Sequence, residues 1–246
     1  MKTSLDHEFY KLLRQSTTRW APLVLFALQL YTALPVSNLS ANRLAQGLGA
    51  GQWVIIIMIV LGANLITGEL RHHTLPLLLA KSPRRSAVYL AKALVGYLLG
   101  AALLALGLLL GVLLAPGGWG QAFHQRALWQ ALLLNGGGAL AYLFFALSLA
   151  LLLAVWLKNS ATVIITGLAI AFFGAPLANL LLAALPGLRP LLVWNPLNMI
   201  NVVSQLGNGQ LQAISGLTNL QLLAGDLAYG ALFLLLGGWL FARWQQ

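Results

Sequence analysis

The chain has 246 residues, 60% of them hydrophobic and 7% charged, with a mean hydropathy of +0.85. Soluble domains carry about 25% charged residues, so these figures exclude a water-soluble globular fold and point to an integral membrane protein. The net charge of +10 reads as retention of basic loops in the cytoplasm rather than as nucleic-acid binding. Cysteine is absent, which removes disulfides, thiolate metal ligands and a thiol nucleophile.

In chain order, residues 4–18 have helical periodicity, with Leu5, Phe9, Leu12 and Leu13 on one face. Glu8 and Lys11 are spaced for an ion pair within that helix, and Arg14 follows one turn later. Residues 1–19 are therefore expected to form an amphipathic helix along the inner membrane surface.

A charge at the middle of a bilayer costs at least about 2.5–3.5 kcal/mol, so charge-free intervals mark the spans. Six such intervals, the last broken only by Asp226, predict spanning helices near 20–37, 51–68, 88–114, 128–157, 161–185 and 221–242. The fold class is an all-α, six-span membrane domain covering 1–246. With the N-terminus inside, eleven Lys and Arg fall on the cytoplasmic side and three (Arg43, Arg126, Arg189) outside, so both termini are expected in the cytoplasm. The eight tryptophans fall near predicted span ends, where amphipathic rings prefer to sit.

Between spans 2 and 3 lies the most informative stretch. Residues 69–92 hold six of the eighteen charged side chains, which makes 69–87 a water-exposed loop. Thr74 is suited to N-cap a short helix and Pro76 to sit in its first turn; Leu75, Leu78 and Leu79 then form an apolar ridge. Ser82-Pro83 breaks that helix and opens the third span. A plain solvated loop would need no such ridge; it suits docking on a protein partner, with contact to lipid headgroups as the alternative.

The third span carries Gly96-x-x-x-Gly100 and Gly107-x-x-x-Gly111 on one stripe, a spacing that permits close helix approach, including dimerisation. Residues 186–220 are too polar for a span and too apolar for free coil, so short helices capping the outer part of the bundle are expected. Asn64, Asn135, Asn179 and Asp226 are candidates for lining a substrate path on polarity alone. Asp226 lies close to the predicted outer interface, which favours simple solvation. His72-His73 lack further ligands, so no metal site is expected, and no catalytic set lies within the spans. There is no Gly-x-x-x-x-Gly-Lys-Ser/Thr loop, so this chain is not expected to hydrolyse ATP itself.

Glu69, Thr74-Leu75, Leu77-Leu78-Leu79, Ser82-Pro83-Arg84-Arg85 and Tyr89-Leu90-Ala91-Lys92 resemble the cytoplasmic loop of the membrane subunits of type-2 ABC transporters. The start, His7-Glu8-Phe9-Tyr10-Lys11-Leu12-Leu13-Arg14, is similar to permeases of the lantibiotic-immunity and bacitracin-resistance type. His73 stands where that family often has Gly. The resemblance implies a bacterial plasma-membrane export permease, not itself an enzyme, that moves a peptide, lipid-like or hydrophobic compound. Glu69, Arg71, Thr74, Leu75, Leu78, Leu79, Lys81, Arg84 and Arg85 would contact a separate ATP-binding subunit holding ATP and Mg. A second permease chain, identical or sister, would complete the unit. The competing expectation is a carrier or channel that works without an ATPase.

Overall fold

The structure, a computed structural model, describes residues 2–34, 41–71, 85–115 and 125–243. Among them there is no strand, and the fold is all-helical. The long helices are α1 (Lys2–Arg14), α2 (Ser16–Ala33), α4 (Ala50–Arg71), α5 (Arg85–Leu113), α6 (Arg126–Leu157) and α7 (Ser160–Ala184), with α3 (Ala41–Ala45) between α2 and α4. After α7 come the short helices α8 (Arg189–Leu192), α9 (Pro196–Met199), α10 (Asn201–Gly207) and α11 (Gln212–Ser215), and then the long α12 (Asn219–Ala242).

Five of these, α4, α5, α6, α7 and α12, are long and apolar enough to cross a membrane. The shortest has 22 residues, about 33 Å at 1.5 Å per residue, against a hydrocarbon core of about 30 Å. By length and composition this is a multi-pass membrane protein. The first expected span, 20–37, corresponds to α2, which does not reach the same apolarity. It begins four residues early and so includes Ser16, Thr17, Thr18 and Arg19, and it carries Gln29 inside. Residues 35–37 lie outside the described residues.

Helix α6 is the hub. It packs on α12, α4, α5 and α7, and also meets α3 and α10. Helix α2 sits at the periphery against α4 and α5, and α1 lies against α5 and α2. Lipid tails are as apolar as leucine, so helix association in a membrane relies on close packing at small residues. The glycine stripe of α5 supplies that packing within the chain. A Cβ at Gly96 would meet Leu65 of α4 and Leu147 of α6, and one at Gly100 would meet Leu143 and Met58. A Cβ at Gly111 would come within 2.8 Å of the backbone of Gly47. The stripe thus packs against α2, α4, α6 and the 46–49 turn, the close helix approach its spacing permits. Gly136 and Gly138 of α6 likewise receive Leu108 and Leu206, while Gly137 faces open space.

The turn before α4 has three consecutive left-handed residues, Gly47 (φ 57°), Leu48 (φ 54°) and Gly49 (φ 78°). Leucine in that region costs about 1–2 kcal/mol, and two side chains of α2 hold it there. Gln29 Nε2 donates to the carbonyls of Gly47 (3.1 Å) and Gly107 (2.7 Å), and Thr32 Oγ1 donates to Leu48 O (3.1 Å).

At the end opposite α1, residues 186–218 wind through short helices that satisfy their own polar groups, as backbone in an apolar setting must. Asn198 Nδ2 donates to Val193 O (2.7 Å) and Ser215 O (3.0 Å), and Gln205 Nε2 to Leu217 O (2.9 Å) and Asn219 Oδ1 (2.8 Å). Thr218 and Gln221 form a reciprocal capping box that starts α12.

Candidate coupling site

Helix α4 runs unbroken through Glu69 to Arg71, and α5 begins at Arg85 with Lys92 two turns in. These are the two stems of the basic hairpin. Lys92, Glu69 and Glu8 are all buried, with 1%, 3% and 4% of their surface exposed. Lys92 Nζ donates to Glu69 Oε1 at 2.6 Å and to Glu8 Oε2 at 2.8 Å, both charge-assisted contacts of normal length. Lys11 Nζ, on the partly exposed side of the cluster, also reaches Glu69 Oε1. Among the described residues two cations and two anions therefore meet here, tying α1 to the ends of both stems.

The expected Glu8–Lys11 pair within α1 is not formed among the described residues. Each side chain takes a long-range partner because α1 turns its Glu8 and Leu12 face inward. That same rotation leaves Phe9 and Leu13 about half exposed, so the apolar residues expected on one face divide between bundle and surroundings. Arg14 is exposed and stacks over Tyr10, 4.7 Å from the ring centre.

Arg71 and Arg85 are exposed at the hairpin stems. Thr74, Leu75, Leu78, Leu79, Lys81 and Arg84 lie outside the described residues. Lys92 was missed as a site residue, although a lysine about one turn inside a predicted span calls for a buried anion. With four acids in the chain, the choice of partners was already narrow. Tyr89, one turn earlier, is fully buried and packs on Phe241 of α12, ring centres 5.7 Å apart. A Cβ at Gly237 would collide with the Tyr89 hydroxyl, so α12 is seated directly on the start of α5.

The four candidate path residues have separate surroundings. Asn64 Oδ1 accepts from Ser160 Oγ at 2.7 Å, joining α4 to the start of α7 near the α1 end. Asn135 donates back to Ala131 O at 2.8 Å within α6. Asn179 Oδ1 accepts from Asn201 Nδ2 at 3.1 Å, fastening α10 to α7. Asp226 corrects the expectation of solvation. It has no exposed surface, and among the described residues neither carboxyl oxygen has a hydrogen-bond partner. The short helices α9 and α10 pack against α12 and exclude the water that hydropathy alone would have placed there. Among the described residues no group of three or more His, Cys, Asp or Glu side chains converges as a metal site would require.

Comparison with models of known protein families and with curated proteins finds no match for this chain.

Proposed function

We propose that this chain is the membrane subunit of an ATP-driven exporter, coupled to a separate P-loop ATPase through the 69–87 loop. The observation that carries the reading is the buried Glu8/Lys11–Glu69–Lys92 cluster. A loop that merely connects two spans needs no buried ionic clamp at its base. A loop that receives force does, because a push on it must move α4 and α5 together rather than splay them. Both helices pack on α6, so the displacement reaches the hub of the bundle. In this reading α2 is the sixth span, α1 lies in the inner interface of a bacterial plasma membrane, and both termini are cytoplasmic. A second permease chain and two ATPases complete the unit. The cargo is a peptide, lipid-like or hydrophobic compound, moved outward.

The test is purification of the tagged chain from its native membranes. A P-loop ATPase is expected in the complex, and replacing Leu75, Leu78 and Leu79 together with Asp is expected to remove it while the chain still inserts. Recovery of the wild-type chain with no ATPase would overturn the reading. Asp226 favours a second reading, a carrier that works alone, because an intramembrane acid is a common element of such machines. Solute movement by the chain alone in proteoliposomes would establish it.

A further inference from the structure

Asp226 is a buried carboxyl with no hydrogen-bond or ion-pair partner among the described residues. Every helix packed on α12 can be checked for one. Helices α9 and α10 contain no titratable residue. Helix α6 offers Tyr142 and, sixteen residues earlier at its far end, Arg126. Helix α5 offers Tyr97, with Tyr89, Lys92 and Arg85 toward the opposite end of the bundle. On α12 itself there is Tyr229, and Arg243, just past its end, lies seventeen residues beyond Asp226, about 25 Å along the axis. Among the described residues of these helices, Arg85, Arg126 and Arg243 stand at helix ends and Lys92 is held by Glu8 and Glu69.

Tyr229 and Phe233 follow Asp226 by three and seven residues, on the same stripe of α12. Phe233 stacks on Tyr229 (ring centres 6.1 Å) and on Phe145 of α6 (5.5 Å), which in turn meets Tyr142 (5.9 Å). Tyr142 stands on α6, which packs along α12. An unfilled carboxyl beside a string of four rings combines the two recognition elements of an organic cation, a counter-ion and aromatic faces.

We propose that Asp226, with Tyr142, Phe145, Tyr229 and Phe233, forms the binding site for a hydrophobic organic monocation. This deepens the export reading by naming the chemical class of its cargo, and its transport role rests on that reading. The described arrangement is closed. Met199 of α9 lies directly over Gly225, and the cavity beside Tyr142 and Phe145 holds only about 10 Å³, room for at most one water. The guest therefore enters as α9 and α10 shift away from α12 and α6.

The experiment is equilibrium binding of radiolabelled tetraphenylphosphonium to the full chain in nanodiscs of phosphatidylcholine, without any ATPase. Saturable binding by the wild type is expected, weakened about ten-fold or more in Asp226→Asn and kept within about three-fold in Asp226→Glu, where the charge survives. Phe233→Leu is expected to weaken binding while leaving the carboxyl in place. No saturable binding by the wild type, or equal affinity in Asp226→Asn, overturns the proposal. Because the chain is used alone, failure here leaves the ATPase reading standing, and failure to find an ATPase leaves this site standing.

Discussion

Lys92→Met is expected to destabilise the chain by about 3–5 kcal/mol, the usual cost of removing one partner from a buried ion cluster. The cause is the pair of carboxylates left behind. Glu8 would lose its one ion-pair partner among the described residues, and Glu69 would keep Lys11 but lose the buried donor at 2.6 Å. By the scaling for domains of this size, the loss appears as a melting temperature lower by about 6–20 °C, read by tryptophan fluorescence on detergent-purified protein. The double variant Lys92→Met, Glu8→Gln removes one cation and one anion and leaves Lys11–Glu69 intact. It is expected to recover more than half of the loss, a coupling that independent sites would not show. A melting temperature unchanged in Lys92→Met would mean that the cluster bears no load.

Gly111→Ala carries the second large effect. The added methyl would meet the carbonyl carbon, Cα and oxygen of Gly47 at 2.8 Å, atoms of a left-handed turn that cannot rotate aside as a side chain can. Overpacking of this kind costs about 1–3 kcal/mol. Gly137→Ala is the control, since a Cβ there meets nothing within 4 Å and alanine favours the helix by up to about 1 kcal/mol. Thermal denaturation is therefore expected to move in opposite directions for the two variants. A loss at Gly137 equal to that at Gly111 would show that the glycines matter for flexibility rather than contact.

Five membrane-length helices were legible because the cost of burying charge leaves an unmistakable interval between charged residues. The expected spans 51–68, 88–114, 128–157, 161–185 and 221–242 each fall within three residues at either end of α4, α5, α6, α7 and α12. Helix α2 is the exception, because polar Gln29 and Thr32 are spent on the 47–49 turn and no local pattern reveals a partner eighteen residues away. Glu8, Lys11 and Glu69 were each recognised as notable, but their meeting on Lys92 was not. Helical periodicity gives the face of a side chain and says nothing about which helix will oppose it. The glycine stripe shows the same limit, since its spacing permits close approach without saying whether the neighbour belongs to the same chain. Asp226 fails for a third reason. Hydropathy places it near a helix end, but its dryness is created by α9 and α10, whose docking depends on side-chain amides such as Asn201 and Gln205.

The most direct measurement exploits the absence of cysteine from the chain. Leu78→Cys places a single thiol on the hairpin between α4 and α5, and a membrane-impermeant maleimide reports which side it faces. The account predicts no labelling in intact cells or spheroplasts and full labelling in inverted vesicles, as a lever worked by a cytoplasmic ATPase requires. Labelling from outside intact cells would contradict it.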